Sequence, residues 1–430
     1  MVTGDTDVTS YDINDARAYL DASPSPHHAA AETMRRLIAA GATELDLLDN
    51  WSASDVNGFT AVRRDGAVIA WRTPQHTETP LPIDIVGAHT DSPCLKIKPR
   101  PDVGAAGWRQ LAVEVYGGIL NNSWLDRDLG IAGVALDASG NAHLVRSDAV
   151  ARVPQLAVHL DRQVNEGLKL DPQTHLTPMW GLGDATPGGF AQWLAQLAGI
   201  DDVTWWDLCL FDAQPAAQIG RDGEFIASGR LDNLISCWAA TAALCSSTPA
   251  DGRIALMVLN DHEEVGSSST TGADGPLLEH VLTRLTHALG GNVADLHRVL
   301  AASTCVSADN AHAIHPNYPE RHDAAHAPRV NAGPAIKVNA NQRYATSARS
   351  AARFERACNA AGVPWQVFSS RNNIPCGSTI GPITASRLGI DTVDVGIPQL
   401  SMHSARELCG AVDPGYLAAA LSAYWSSSEA

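Results

Sequence analysis

Short apolar runs that stop abruptly at polar residues recur along this chain, separated by stretches whose apolar positions repeat with helical spacing. The clearest run is IALMVLNDHEEVG at 254–266, which reads as a buried strand delivering Asp261, His262, Glu263 and Glu264 to a site. Strands are likewise predicted at 59–62 and 67–71, flanking the turn dipeptide Asp65-Gly66, and then from 83, at 254–259, 299–306, 365–368 and 392–395. Helices are predicted over 15–20, 29–40 (closed by Gly41), 231–245, 277–289, 347–361, 382–388 (opened by Pro382) and 416–425. Between about 100 and 225 the pattern changes to strands, at 111–116, 131–136 and 142–145. The expected fold is therefore α/β: a mixed central sheet flanked by helices, built from residues 1–99 and 228–430, with an inserted β-rich domain at 100–227.

Composition narrows the function. At 430 residues, 45% hydrophobic and 18% charged, the chain can bury a large core. Its net charge of −17 argues against a nucleic-acid partner, and any acidic ligand would need a local cationic site. The eight cysteines are scattered without a CxxC pair, as expected for reduced thiols of a cytoplasmic protein. The start, MVTGDTDVTSYD, lacks the basic and apolar regions of a signal peptide, and no apolar run approaches the roughly 20 residues that span a bilayer, so no membrane partner is expected.

An isolated Glu-Glu pair after a strand is ordinarily a solvated loop. Partly buried, however, adjacent carboxylates repel and call for a cation. Other predicted strands also end at metal-capable groups: IVGAHTD at His89 and Asp91, CVSADN at Asp309, and VDVGIPQLSMH at His403. Asp232 in GRLDNL opens a helix, where the dipole favours a carboxylate. Each alone has a plainer role, as core histidine, helix cap or turn residue. Their repeated placement supplies the nitrogen and oxygen donors that suit zinc and related divalent ions. Asp91, two residues after His89, can accept the second imidazole N–H and fix the tautomer a metal requires.

The ordered blocks HTDSPCLKIKP, YGG with WLDRDLG, RLDNL, NDHEEVGSSS, SADNAHAIHPNYPERH, KVNANQRYAT, PCGSTIGP and DVGIPQLSMHSARELCG resemble the aspartyl aminopeptidase family of metallopeptidases, from about residue 89 to 410. The resemblance implies two Zn2+ ions per subunit, with Co2+ or Mn2+ as alternatives, bridged by Asp232. His89 and Asp309 would complete one position, Glu264 and His403 the other. It implies Glu263 as general base for the attacking water, with Asp91 orienting His89; residue chemistry alone does not separate the two glutamates. It also implies peptide substrates with N-terminal Asp or Glu, recognised by Lys337 with Tyr344, His312 and His326 nearby. The insertion resembles the family's dimerisation domain, with His159 in LAVHLDR offered to a neighbouring subunit of a homo-oligomer, for which the resemblance implies the family's closed dodecamer. The rivals are a zinc aminopeptidase with neutral preference and a non-catalytic assembly protein.

Overall fold

The computed structural model describes residues 11–74 and 77–427; the polar start at 1–10 lies outside the described residues. A nine-stranded mixed sheet runs in the order Thr43–Glu44, Phe59–Arg64, Ala67–Arg72, Ile254–Asn260, Ile83–His89, Thr304–Ala308, Asp391–Gly396, Ala335–Val338, Gln366–Ser369. The strands Ile254–Asn260, Ile83–His89, Thr304–Ala308 and Asp391–Gly396 lie parallel at its centre, with antiparallel pairs on either side. Helices cover both faces, so these central strands are nearly continuous apolar runs.

Strand alternation assigns the two faces. Val86, Ala88, Met257, Leu259, Val306 and Val393 join one core with Tyr19, Leu37, Trp238, Phe354 and Trp425 from the helices Ile13–Ala22, Pro26–Ala39, Leu231–Ser246, Ala348–Ala360 and Asp413–Ser426. Ile83, Ile85, Leu256 and Val258 face the opposite core, against Val281, Leu285 and Val299 of Leu277–Ala288 and Val293–Ala302.

A six-stranded antiparallel sheet forms a separate layer, ordered Ala142–Arg146, Leu129–Leu136, Trp205–Asp212, Cys94–Ala105, Trp108–Tyr116, Met179–Leu182. Its own core holds Leu95, Leu111, Ile131, Phe190 and Leu210. The strand Cys94–Ala105 runs unbroken through residue 99. A third sheet, ordered Ala217–Ile219, Phe225–Ser228, Glu407–Gly410, Pro398–Leu400, Ala311–His312, lies alongside the ends of the central strands.

Most predicted elements are present within a few residues, and three differ. The strand expected over 299–306 is a helix, Val293–Ala302, followed by the strand Thr304–Ala308. The Asn292 cap, with Asp295 reaching back to it, nucleates that helix, and Leu296 and Val299 bury at its i, i+3 spacing. The helix expected to open at Pro382 begins at Ile380. The β-rich segment also contains the helix Gly189–Ala198, closed by Gly199 in the left-handed conformation and buried through Phe190 and Leu194.

Candidate metal centre

His89 is the last residue of the central strand Ile83–His89, in register with Asn260 of its neighbour. Beyond Asn260 the chain turns through His262, at φ 62°, which swings Glu263 and Glu264 back over the sheet edge in one short 3-10 turn. Asp309 follows the next strand over. Gly396 lets the adjoining strand approach it, because a side chain there would overlap the Asp309 carbonyl. Asp232 stands at the start of Leu231–Ser246, but its backbone (φ −84°, ψ 104°) is not helical, so it is a distinct turn and not a plain first helical residue. His403 lies in a tight turn at φ 68°.

These side chains converge. His89 Nε2 lies 3.6 Å from Asp232 Oδ1 and 3.7 Å from Asp309 Oδ1, while His403 Nε2 lies 3.3 Å from Asp232 Oδ2 and 3.4 Å from Glu264 Oε2. Asp232 thus turns one oxygen to each histidine. Three groups of potential ligands follow: His89 with Asp232 and Asp309; Asp232 with Glu264 and His403; and His89 with Glu263 and Glu264. Both imidazoles are oriented through Nδ1, His89 toward the Asp91 carbonyl at 3.0 Å and His403 toward the Gly118 carbonyl at 2.9 Å. Donation there leaves each Nε2 lone pair facing the carboxylates. The closest acceptor for His89 is the Asp91 main chain; the Asp91 carboxylate is 3.4 Å away.

A divalent ion fits this donor set. Asp232 Oδ1 and Glu264 Oε1 are buried and have no hydrogen-bond partner among the described residues, a costly state unless a cation satisfies them. Burial and the surrounding carboxylates push Glu263 up to about 7 and Glu264 well above its ordinary value, and burial with Asp232 pushes Glu407 up to about 8. A cation among them lets the group ionise together. Against the same burial penalty, Lys337 and His89 hold Asp309 below the ordinary carboxylate range.

The site opens into a cavity of about 420 Å³ lined in part by Glu263, His312, Lys337, Tyr344 and Met402. Lys337 is 1% exposed; its ammonium lies 3.6 Å from Asp309 Oδ2, donates to the Asn310 carbonyl at 3.2 Å and sits over the Tyr344 ring. Burial and Lys337 lower the pKa of His312. His326 is exposed, paired with Asp323 and outside this cavity. His159 is exposed in a turn of the inserted segment and also lies outside it.

Two residues that sequence reasoning passed over also shape the site. Tyr116, from the six-stranded sheet, donates its hydroxyl to Asp91 Oδ2 at 2.7 Å. Asp91 also accepts the Glu263 and Glu264 N–H groups at 3.0 and 3.1 Å. Glu407 accepts the backbone N–H of both Asp232 and His403. Both residues fall inside blocks that carried the resemblance, but only the folded contacts reveal what they touch.

A fold of this kind, with histidines and carboxylates gathered where central parallel strands end, is that of a protein able to hold divalent metal ions. The family model "Aminopeptidase I zinc metalloprotease (M18)" matches residues 19–425, and the chain belongs to the M18 aminopeptidases, a family of zinc metallopeptidases. It is 52% identical over 420 residues to the probable M18 family aminopeptidase 2 of Streptomyces coelicolor, covering 96% of each chain. Among solved structures it is similar to a chain of the Ape4 and Nbr1 complex, with TM-score 0.91, 33% identity and coverage of 96% of this chain and 85% of that one. It is also similar to the S. cerevesiae mApe1 dodecamer, with TM-score 0.83, 29% identity and coverage of 96% and 95%.

Proposed function

We propose that this protein is a dinuclear zinc aminopeptidase that removes N-terminal Asp or Glu from peptides. The observation that carries the dinuclear reading is Asp232, whose two oxygens face two separate histidines. His89 and Asp309 would complete one position, Glu264 and His403 the other. When bound, zinc supplies Lewis acidity to the scissile carbonyl and to the attacking water. Glu263 is the general base: its carboxylate lines the cavity beside the ligand groups, where it can take a proton from the water and return it to the leaving amine. Asp91 holds the Glu263 and Glu264 amides and His89 together, which fixes the base relative to the ligands.

Lys337 supplies the cation for an acidic N-terminal side chain, with Tyr344 and His312 beside it in the cavity. One observation favours the rival neutral preference: the Lys337 ammonium is already engaged by Asp309 and the Asn310 carbonyl. Residues 1–99 and 228–430 form the catalytic domain in this reading, and 100–227 a dimerisation domain. Leu156, Val158 and Leu160, at 56%, 48% and 75% exposed, flank His159 and give its turn an apolar surface suited to a second copy. A homo-oligomer, with a dodecamer like the S. cerevesiae mApe1 assembly as its closed form, would use that turn to bring His159 to a neighbouring site. No helix among the described residues is long and apolar enough to cross a membrane, and the eight cysteines are free thiols, which fits a cytoplasmic enzyme.

Metal analysis combined with turnover of Asp, Glu, Leu and Ala p-nitroanilides tests the reading. Two zinc ions per chain and preference for Asp or Glu are expected. A clear Leu preference would refute the acidic assignment, and absence of turnover on any of the four would favour the assembly protein.

A further inference from the structure

Glu407 is 2% exposed and lies beneath the metal-site residues at the start of the strand Glu407–Gly410. Its Oε2 accepts the Asp232 N–H at 2.9 Å and its Oε1 accepts the His403 N–H at 2.7 Å. Neither donor belongs to regular structure: Asp232 has non-helical torsions and His403 lies in the left-handed region. Their amides therefore rely on a side chain for the partner that a buried N–H requires.

The contacts continue sideways. Gln399, 1% exposed, donates to Glu407 Oε1 at 3.4 Å and accepts from Asn310 Nδ2 at 3.1 Å. That same Asn310 amide donates to the Leu231 carbonyl at 2.9 Å, and the Asn310 carbonyl receives Lys337. One buried network thus ties the backbone at Leu231, Asp232 and His403 to Asn310, the residue after Asp309.

We propose that Glu407 is the positioning residue that sets the spacing between Asp232 and His403, and through Gln399 and Asn310 their spacing from Asp309. The proposal rests on the dinuclear reading above. Two backbone donors from distant parts of the chain converge on one group, and a carboxylate offers each its own oxygen. Glutamine offers one oxygen and would aim an amide N–H at the other donor. Aspartate keeps both oxygens but falls one methylene short. With Glu407 holding both backbones, Asp232 Oδ2 and His403 Nε2 stand 3.3 Å apart, close enough to share one ion.

Glu407→Gln and Glu407→Asp in the full chain, each stripped of metal and titrated with zinc against a chromophoric chelator, test this alongside kcat, KM and thermal melts of the metal-free proteins. Glu407→Gln should weaken one of the two zinc positions by about 10- to 100-fold, a usual cost of losing a group that orients a ligand. Its kcat should fall while KM stays within about twofold, because the groups that recognise substrate are untouched, and Glu407→Asp should lie between it and the parent. If Glu407→Gln does not fold, the zinc titration of Glu407→Asp decides the matter. Wild-type zinc affinity in the variants would overturn the proposal, and so would a lowered melting temperature of the metal-free protein with zinc affinity intact, which marks a merely structural role. Fewer than two zinc ions in the parent chain would instead overturn the dinuclear reading.

Discussion

Tyr116→Phe asks whether the six-stranded sheet supports the metal site. Asp91 is wholly buried, and its carboxylate accepts the Tyr116 hydroxyl at 2.7 Å and the Glu263 and Glu264 amides at 3.0 and 3.1 Å. Burial and Asp91 push the tyrosine pKa up, so the hydroxyl keeps its proton and remains a donor. The substitution removes that donor and nothing else, since the ring that carries Lys96 over its face is retained. A hydrogen bond to a charged acceptor contributes about 1.5–3 kcal/mol, and Oδ2 would keep only the Glu264 amide. If about half of this reaches the Glu263 and Glu264 turn, kcat falls about 3- to 12-fold, because each tenfold in rate corresponds to about 1.4 kcal/mol. Steady-state kinetics at saturating zinc read that loss, and a chelator titration reads the accompanying drop in zinc affinity. Kinetics within twofold of the parent, with unchanged zinc affinity, would refute the idea that the inserted sheet holds the site in register.

Four further outcomes are expected. Glu263→Gln should keep its zinc by metal analysis yet lose at least about a hundredfold in kcat, the usual range for a proton-transfer group; full activity would remove it as the base. Lys337→Ala should lower kcat/KM for Asp p-nitroanilide about tenfold or more relative to Ala p-nitroanilide, whereas equal losses on both would assign Lys337 to Asp309 alone. His159→Ala should lower activity several-fold with metal content unchanged, and an unaffected variant would end the shared-site idea. His28 has its pKa lowered to about 4 by burial and then by Arg146, His27, Arg230 and Arg63. Its folded pKa is below the unfolded value near 6.5, so its contribution is full above that pH and is lost as pH falls toward 4, by about 3 kcal/mol at 1.36 kcal/mol per unit. His28→Gln should flatten the acid limb of a urea-midpoint profile over that window; an unchanged slope would count against it.

The sequence by itself determined a great deal here. Apolar runs that stop at acidic residues or histidine marked the strand ends at which His89 lies and beyond which Asp309 and the Glu263 and Glu264 pair are found, because a strand covered on both faces must be apolar until it leaves the sheet. The same logic found the hairpin of Phe59–Arg64 and Ala67–Arg72 and most of the helices. It failed over 299–302, where short apolar spacing fits helix and strand alike and a local cap decides between them. What only the tertiary structure decided is which groups share an atom. That Asp232 faces two histidines, that Tyr116 crosses from another sheet to Asp91, and that Glu407 holds two distant amides depend on contacts between residues far apart in the chain. Periodicity reports which face of an element is buried. It carries no information about the partner met there, and it is the partner that turns a buried carboxylate into a ligand or a support.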